Sequence, residues 1–248
     1  MNLTGQTVIV AGGAGDIGRF VATGLAADAA TVIVLDRNEA PFAELAAHTN
    51  IMCHAIDLTD ATATAALIER LFQDHPTISA LINCTGLIYS APLINILSKE
   101  ERKHSMEAWR KVIDINLTAV FHTGLCVIDQ MVARRTKGVI VNVSSIAARG
   151  NAGQSAYAAA KAAVEAMTVT WSKELAMFGI RSAAIAPGFF DTPSTHSALS
   201  TQQLEKTKNM VPLKRLGSLD ELLSGIRFII QNDYYNGRVL ALDGGIVL

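Results

Sequence analysis

The chain has 248 residues, half of them apolar, enough for one large α/β domain or two small ones. Its 21 basic and 22 acidic residues leave a net charge of −1, which argues against a nucleic-acid binder. No unbroken apolar run reaches the roughly 18 residues of a membrane span. The three cysteines, Cys53, Cys84 and Cys126, show no C-x-x-C spacing, so a reduced chain without a metal site is expected. The opening residues lack the basic and apolar regions of a leader, and a cytoplasmic protein is expected.

The first apolar run, residues 7–11, reads as a strand and runs into Gly12-Gly13-Ala14-Gly15-Asp16-Ile17-Gly18 ahead of a helix at 17–27. Glycines between a strand and a helix let the backbone turn tightly and approach a pyrophosphate, which rests on the helix N-terminus. A second strand at 31–35 leads into Asp36, 18 residues after Gly18. A carboxylate there accepts both hydroxyls of an adenine ribose and repels a 2′-phosphate. NAD is therefore expected rather than NADP, with Arg37 as the competing phosphate ligand.

Further strands are expected at 51–56, 80–82, 139–143, 181–185 and 239–242, and helices at 61–72, 106–133, 156–178 and 219–230. Most of the strands are continuous apolar runs, the pattern of a parallel sheet buried on both faces. Strand–helix alternation without a composition break predicts one doubly wound α/β domain of Rossmann type over residues 1–248, with about seven parallel strands. The segment 189–212 is polar and rich in Ser and Thr, and is expected to be an irregular mobile flap.

The helix at 156–178 carries the chemistry. Tyr157 and Lys161 stand four residues apart among alanines, so a phenol and an ammonium share one helix face. A nearby cation favours the phenolate and is expected to draw the Tyr157 pKa down, so that it exchanges a proton with an alcohol or carbonyl.

With the glycine turn, Asp36, Tyr157 and Lys161 in place, the chain resembles the classical short-chain dehydrogenase/reductase family from nearly end to end. The resemblance implies roles for further residues. Asp57 and Leu58 look like the pair that holds the adenine. Asn83-Cys84-Thr85-Gly86 resembles the N-N-A-G turn after the fourth strand. Asn116 resembles the helix asparagine that holds a water of the proton relay. Ser144-Ser145 precedes Tyr157 as the catalytic serine does; Ser145, in Ser145-Ile146-Ala147-Ala148, is the better match and Ser144 the alternative. Pro187-Gly188-Phe189-Phe190-Asp191-Thr192 resembles the P-G-x-x-x-T segment at the nicotinamide carboxamide. Asp243-Gly244-Gly245 matches the usual ending. The chain departs from T-G-x-x-x-G-x-G at Ala11 and at Asp16, whose carboxylate has to turn away from a pyrophosphate.

Within the family the chain is most similar to the branch that interconverts 3-hydroxyacyl-CoA and 3-oxoacyl-CoA. That likeness rests on Pro187 to Pro193, on Asn236-Gly237-Arg238-Val239 with Leu242-Asp243-Gly244, and on the insertion from Leu87 to Met106. Alternatives are a 3-oxoacyl-carrier-protein reductase, another alcohol or hydroxysteroid dehydrogenase, and a dinucleotide-binding module without catalysis. The branch implies an acyl-thioester substrate, with Ile88, Leu93, Ile94 and Leu97 as an acyl-facing wall. The family implies a homotetramer, with the long apolar helices and Val247-Leu248 at its interfaces.

Overall fold

Strands whose alternate side chains are all apolar must be covered on both faces. The computed structural model, which describes residues 1–28, 31–98 and 101–246, has that arrangement. β1 (Thr7–Ala11), β2 (Thr31–Asp36), β3 (Ile51–Ala55), β4 (Ile78–Asn83), β5 (Gly138–Val143), β6 (Ile180–Pro187) and β7 (Val239–Leu242) form one sheet in the order β3-β2-β1-β4-β5-β6-β7. Every pairing is parallel.

The helices in chain order are α1 (Asp16–Ala27), α2 (Phe42–Leu45), α3 (Ala61–Asp74), α4 (Met106–Ile113), α5 (Ala119–Ala133), α6 (Ser155–Glu174), α7 (Pro193–Ala198), α8 (Thr201–Met210) and α9 (Leu219–Gln231). Leu25 of α1 and Leu222 and Ile226 of α9 join Val8, Val10, Val32 and Val34 on one face of the sheet. Leu71 and Phe72 of α3, Met131 of α5 and Trp171 of α6 join Ile9, Ile33, Leu81 and Ile140 on the other. The alternation of the strands thus feeds two apolar layers.

Two expectations need correction. The single helix expected at 106–133 is interrupted: Asp114–Thr118 is wound one residue wider, and the Ala119 amide reaches back five residues to the Asp114 carbonyl. The stretch is long and apolar enough to cross a membrane, its most apolar 18 residues having a mean hydropathy of 1.4, yet Val127 and Met131 of α5 pack within the core. The segment 189–212 is not irregular, since it holds α7 and α8. The Thr192 and Ser200 side chains cap their first turns, Ser200 in a capping box with Gln203.

The sheet order reverses between β1 and β4, which run side by side with Ala11 opposite Asn83. Their following loops separate in opposite directions and leave a crevice at the carboxyl ends of the strands. The site residues gather there.

Candidate active site

Gly12 ends the β1 turn at φ +74°, a conformation that disfavours any side chain. A Cβ on it would lie 2.6 Å from the Thr85 backbone, and one on Gly18 would lie 2.1 Å from the Gly12 carbonyl oxygen. Only glycine lets the two loops and α1 approach this closely. Gly15 stands at the start of α1 with no side chain capping the helix. The first residues of α1, Asp16, Ile17 and Gly18, line the cleft, and an uncapped helix start beside a cleft suits an anion.

Asp36 ends β2. Its carboxylate accepts hydrogen bonds from the Ala14 amide at 3.0 Å and the Asn38 amide at 2.9 Å. It lines a groove with Gly12, Gly15, Asp57, Leu58 and Gly86. Arg37 lines the same groove. Asp57 turns onto Thr59, whose hydroxyl and amide hold its carboxyl below the usual range. The N-terminal acid of α3 is Asp60, which accepts from the Ala63 amide. Leu58 is buried beneath the groove. The Thr85 hydroxyl is buried at this crossing without a protein partner, as is the Asn83 side-chain oxygen. An unsatisfied hydroxyl in the wall of a cleft fits a polar ligand. The crowded glycines, the free helix terminus and the Asp36 carboxylate fit a dinucleotide.

A cleft of about 590 Å³ continues from the glycine turn. Gly12, Gly15, Ile17, Gly18, Cys84, Gly86, Ser145, Tyr157, Pro187, Gly188, Phe190 and Thr192, all expected in the site, line it. Asn151 and Gln154 line it as well and were not anticipated; Gln154 stands three residues before Tyr157 and donates to the Ser90 hydroxyl in the insertion at 3.1 Å. That spacing puts Gln154 one helical turn from the phenol, a signal present in the sequence.

The two serines separate cleanly. The Ser144 hydroxyl donates to Glu165 at 2.9 Å behind the sheet end, while Ser145 lines the cleft with Tyr157. The electrostatics of the Tyr–Lys pair differ from expectation. Burial raises the Tyr157 phenol above its ordinary value, with the Ser145 hydroxyl pulling the other way. Lys161 is buried too, and loss of water brings its ammonium down to about 8. Its Nζ donates to the Val143 carbonyl at 2.8 Å and lies 5.8 Å from the Tyr157 ring centre. Burial, rather than the neighbouring ammonium, therefore sets the direction of the phenol's shift.

Asn116, Asn83 and Lys161 stand behind the cleft wall. The Asn116 side chain accepts from the Leu87 amide at 3.1 Å and donates to the Leu87 and Val112 carbonyls. It thereby pins the loop after β4 to the widened helical turn. A Cβ on Gly86 would lie 3.1 Å from the Asn116 oxygen and 3.4 Å from Lys161 Nζ, so this glycine lets both polar groups approach the loop. Asn83 donates to Asn142 at 2.8 Å, and Asn142 donates to Thr168 at 2.9 Å. Burial pushes the Cys84 thiol up to about 12, so it lines the cleft as an inert neutral group.

The expected apolar wall is only partly present. Leu87 and Ile88 line the cleft, whereas Leu93, Ile94 and Leu97 are exposed and do not. The insertion folds back on itself instead: Ile94 pairs antiparallel with Lys103, and the His104 amide donates to the Leu93 carbonyl.

Residues 6–203 match the family model for short chain dehydrogenases. A 3-oxoacyl-acyl-carrier-protein reductase of Thermotoga maritima is 34% identical, with both chains covered in full. A 3-hydroxyacyl-CoA dehydrogenase type-2 of Bos taurus is 30% identical, over 99% of this chain and 96% of that one. A sorbitol-6-phosphate 2-dehydrogenase of Klebsiella pneumoniae is 33% identical, over 99% and 97%. Among the described residues no group of His, Cys, Asp and Glu is arranged to hold a metal. A parallel sheet opening at its switch point, with a tyrosine and a serine hydroxyl both lining that opening, now has its relatives: the chain belongs to the short chain dehydrogenase family and is an oxidoreductase of hydroxyl and keto groups that uses a nicotinamide dinucleotide.

Proposed function

We propose that the protein interconverts a 3-hydroxyacyl thioester, most simply a 3-hydroxyacyl-CoA, and its 3-oxo form, with NAD(H) in preference to NADP(H), in the cytoplasm. The observation that carries the reaction type is the Ser145–Tyr157 hydroxyl pair in the wall of the cleft. The bound nicotinamide supplies or accepts the hydride. At neutral pH the buried Tyr157 keeps its proton and is set to give it to the substrate oxygen in reduction. In oxidation the same phenolic oxygen takes the hydroxyl proton. Ser145 donates to the reacting oxygen as charge develops there. Lys161, when protonated, supports the phenolate, and Asn116 fixes the loop beside it.

The NAD preference rests on the Asp36 carboxylate in the groove. Asp57 and Leu58 would flank the adenine, and Thr192 with Pro187, Gly188 and Phe190 the carboxamide. The acyl assignment rests on the two acyl-specific relatives; the sugar-phosphate dehydrogenase of similar identity marks it as the finer claim. A second reading, a carrier-protein reductase using NADPH, is favoured by Arg37 in the same groove. Catalytic efficiency with 3-oxoacyl-CoA substrates of increasing length, with NADH and with NADPH, tests all of this. Thioesters with NADH should rank above simple ketones, sugars and steroids. A sugar or small ketone that outruns every thioester overturns the acyl assignment, and equal efficiency with NADPH overturns the cofactor choice.

We also read the exposed Phe121 and Leu125 on α5, with Phe178 after α6, as subunit contacts of a homotetramer. A monomeric mass by light scattering at micromolar protein rejects it. Val247 and Leu248, expected at a second interface, lie outside the described residues.

A further inference from the structure

Asp16 stands where the family pattern has glycine, and its side chain reaches across the cleft. It is the first residue of α1, and its carboxylate accepts a hydrogen bond from the Ser194 amide at 2.8 Å, across 178 residues of chain. Ser194 lies in the first turn of α7. Among the described residues, the other hydrogen bonds of α7 stay within 190–199. Thr192 meets the Ser194 and Thr195 hydroxyls, Thr195 donates to the Phe190 carbonyl, His196 meets Asp191, and Ser197 donates to the Pro193 carbonyl. The Asp16–Ser194 bond is therefore the polar tie between this part of the flap and the glycine turn, and both residues line the same cleft. A glycine at position 16 has no group to make it. The same carboxylate also puts a negative charge beside the turn that faces a pyrophosphate.

We propose that Asp16 is a positioning residue that fastens α7, and with it Thr192, over the cleft, and that its charge lowers dinucleotide affinity in return. The tether is a property of the free protein; the charge effect rests on the dinucleotide reading above.

Two variants separate these halves. Asp16→Asn keeps an oxygen acceptor and loses the charge. Asp16→Gly loses both, and restores the residue that the family pattern carries, so the turn folds with it. Amide hydrogen exchange across 193–199 of the ligand-free protein should match wild type in Asp16→Asn and run about five- to tenfold faster in Asp16→Gly, the effect of one hydrogen bond to a carboxylate. Calorimetric titration with NADH should show about three- to tenfold tighter binding by Asp16→Asn than by wild type. Release of NADH, followed by stopped-flow fluorescence, should be faster from Asp16→Gly than from Asp16→Asn. Unchanged exchange in Asp16→Gly overturns the tether. Unchanged NADH affinity in Asp16→Asn overturns the charge effect. Failure of every variant and wild type to bind either NADH or NADPH overturns the dinucleotide reading and the charge effect with it, while exchange in the free protein still decides the tether.

Discussion

On the dinucleotide side of the cleft, side chains added at Gly12 or Gly18 would strike backbone at 2.6 and 2.1 Å. On the substrate side, one added at Gly150 meets nothing within 4 Å. The first wall is made of strand ends and a glycine turn pressed against each other, with Leu58 buried beneath. The second is made of the start of α7, the loop before α6 and the first residues of the insertion after β4, where Ile88 is exposed. Packed backbone fixes where a cofactor lies. Segments held by local hydrogen bonds leave substrate choice open to change, and relatives near one-third identity named for acyl carriers, acyl-CoA and a sugar phosphate differ in that respect.

The sharpest way to test this contrast is to remove chemistry without touching either wall. Tyr157→Phe keeps the ring in its buried place and should lower turnover by about 100-fold or more, with cofactor affinity retained. Near-normal turnover would move the proton to another group.

Lys161 tests whether the pair is mounted on the rigid side. Its folded pKa of about 8 lies below the ordinary 10.5, so the unfolded chain binds more protons between those values and stability rises with pH through that window. The stability of wild type relative to Lys161→Met should therefore increase from pH 7 to pH 10.5, by up to about 3 kcal/mol. Urea midpoints at several pH values measure it, and a flat difference would show that Nζ is reached by water.

Gly12→Ala should destabilise by about 2 kcal/mol, because it places a side chain at positive φ against backbone. Gly150→Ala, at φ +106° but with open space around it, should cost less. Equal thermal shifts for the two would erase the proposed difference between the walls. The smallest effect should come from Asp36→Ala, which removes the ribose acceptor and its repulsion of a 2′-phosphate. We expect the NADPH to NADH efficiency ratio to rise about tenfold.

Much of the rigid wall was legible in the sequence because it depends on residue type at fixed spacing: continuous apolar strands, glycines between β1 and α1, an acid at the end of β2, Tyr157 four before Lys161. The flap was misread for a physical reason. Its Ser and Thr residues look like loop composition, yet Thr192 and Ser200 cap helices, and Ser200 with Gln203 is a capping box visible in the sequence. The Tyr157 and Lys161 ionisation was misjudged because burial acts on both groups, and helix spacing says nothing of depth. The Asp16 tie was not legible at all, since it joins residues 178 positions apart.

The widened turn at Asp114–Thr118 has a rotational consequence. Successive residues of an α-helix are about 100° apart around the axis. One surplus residue therefore dials everything after Thr118 round by about that angle relative to α4. Upstream, Val112 points into the cluster that holds Tyr157 and Ala147; downstream, Val127 and Met131 meet the sheet while Phe121 and Leu125 look outward. Without the surplus, one continuous azimuth would have to serve both surfaces. Deleting a single residue here would rotate the outward stripe of α5 under the sheet and bring its inward stripe to solvent, so one peptide unit acts as the gear between two differently aimed halves of a rod.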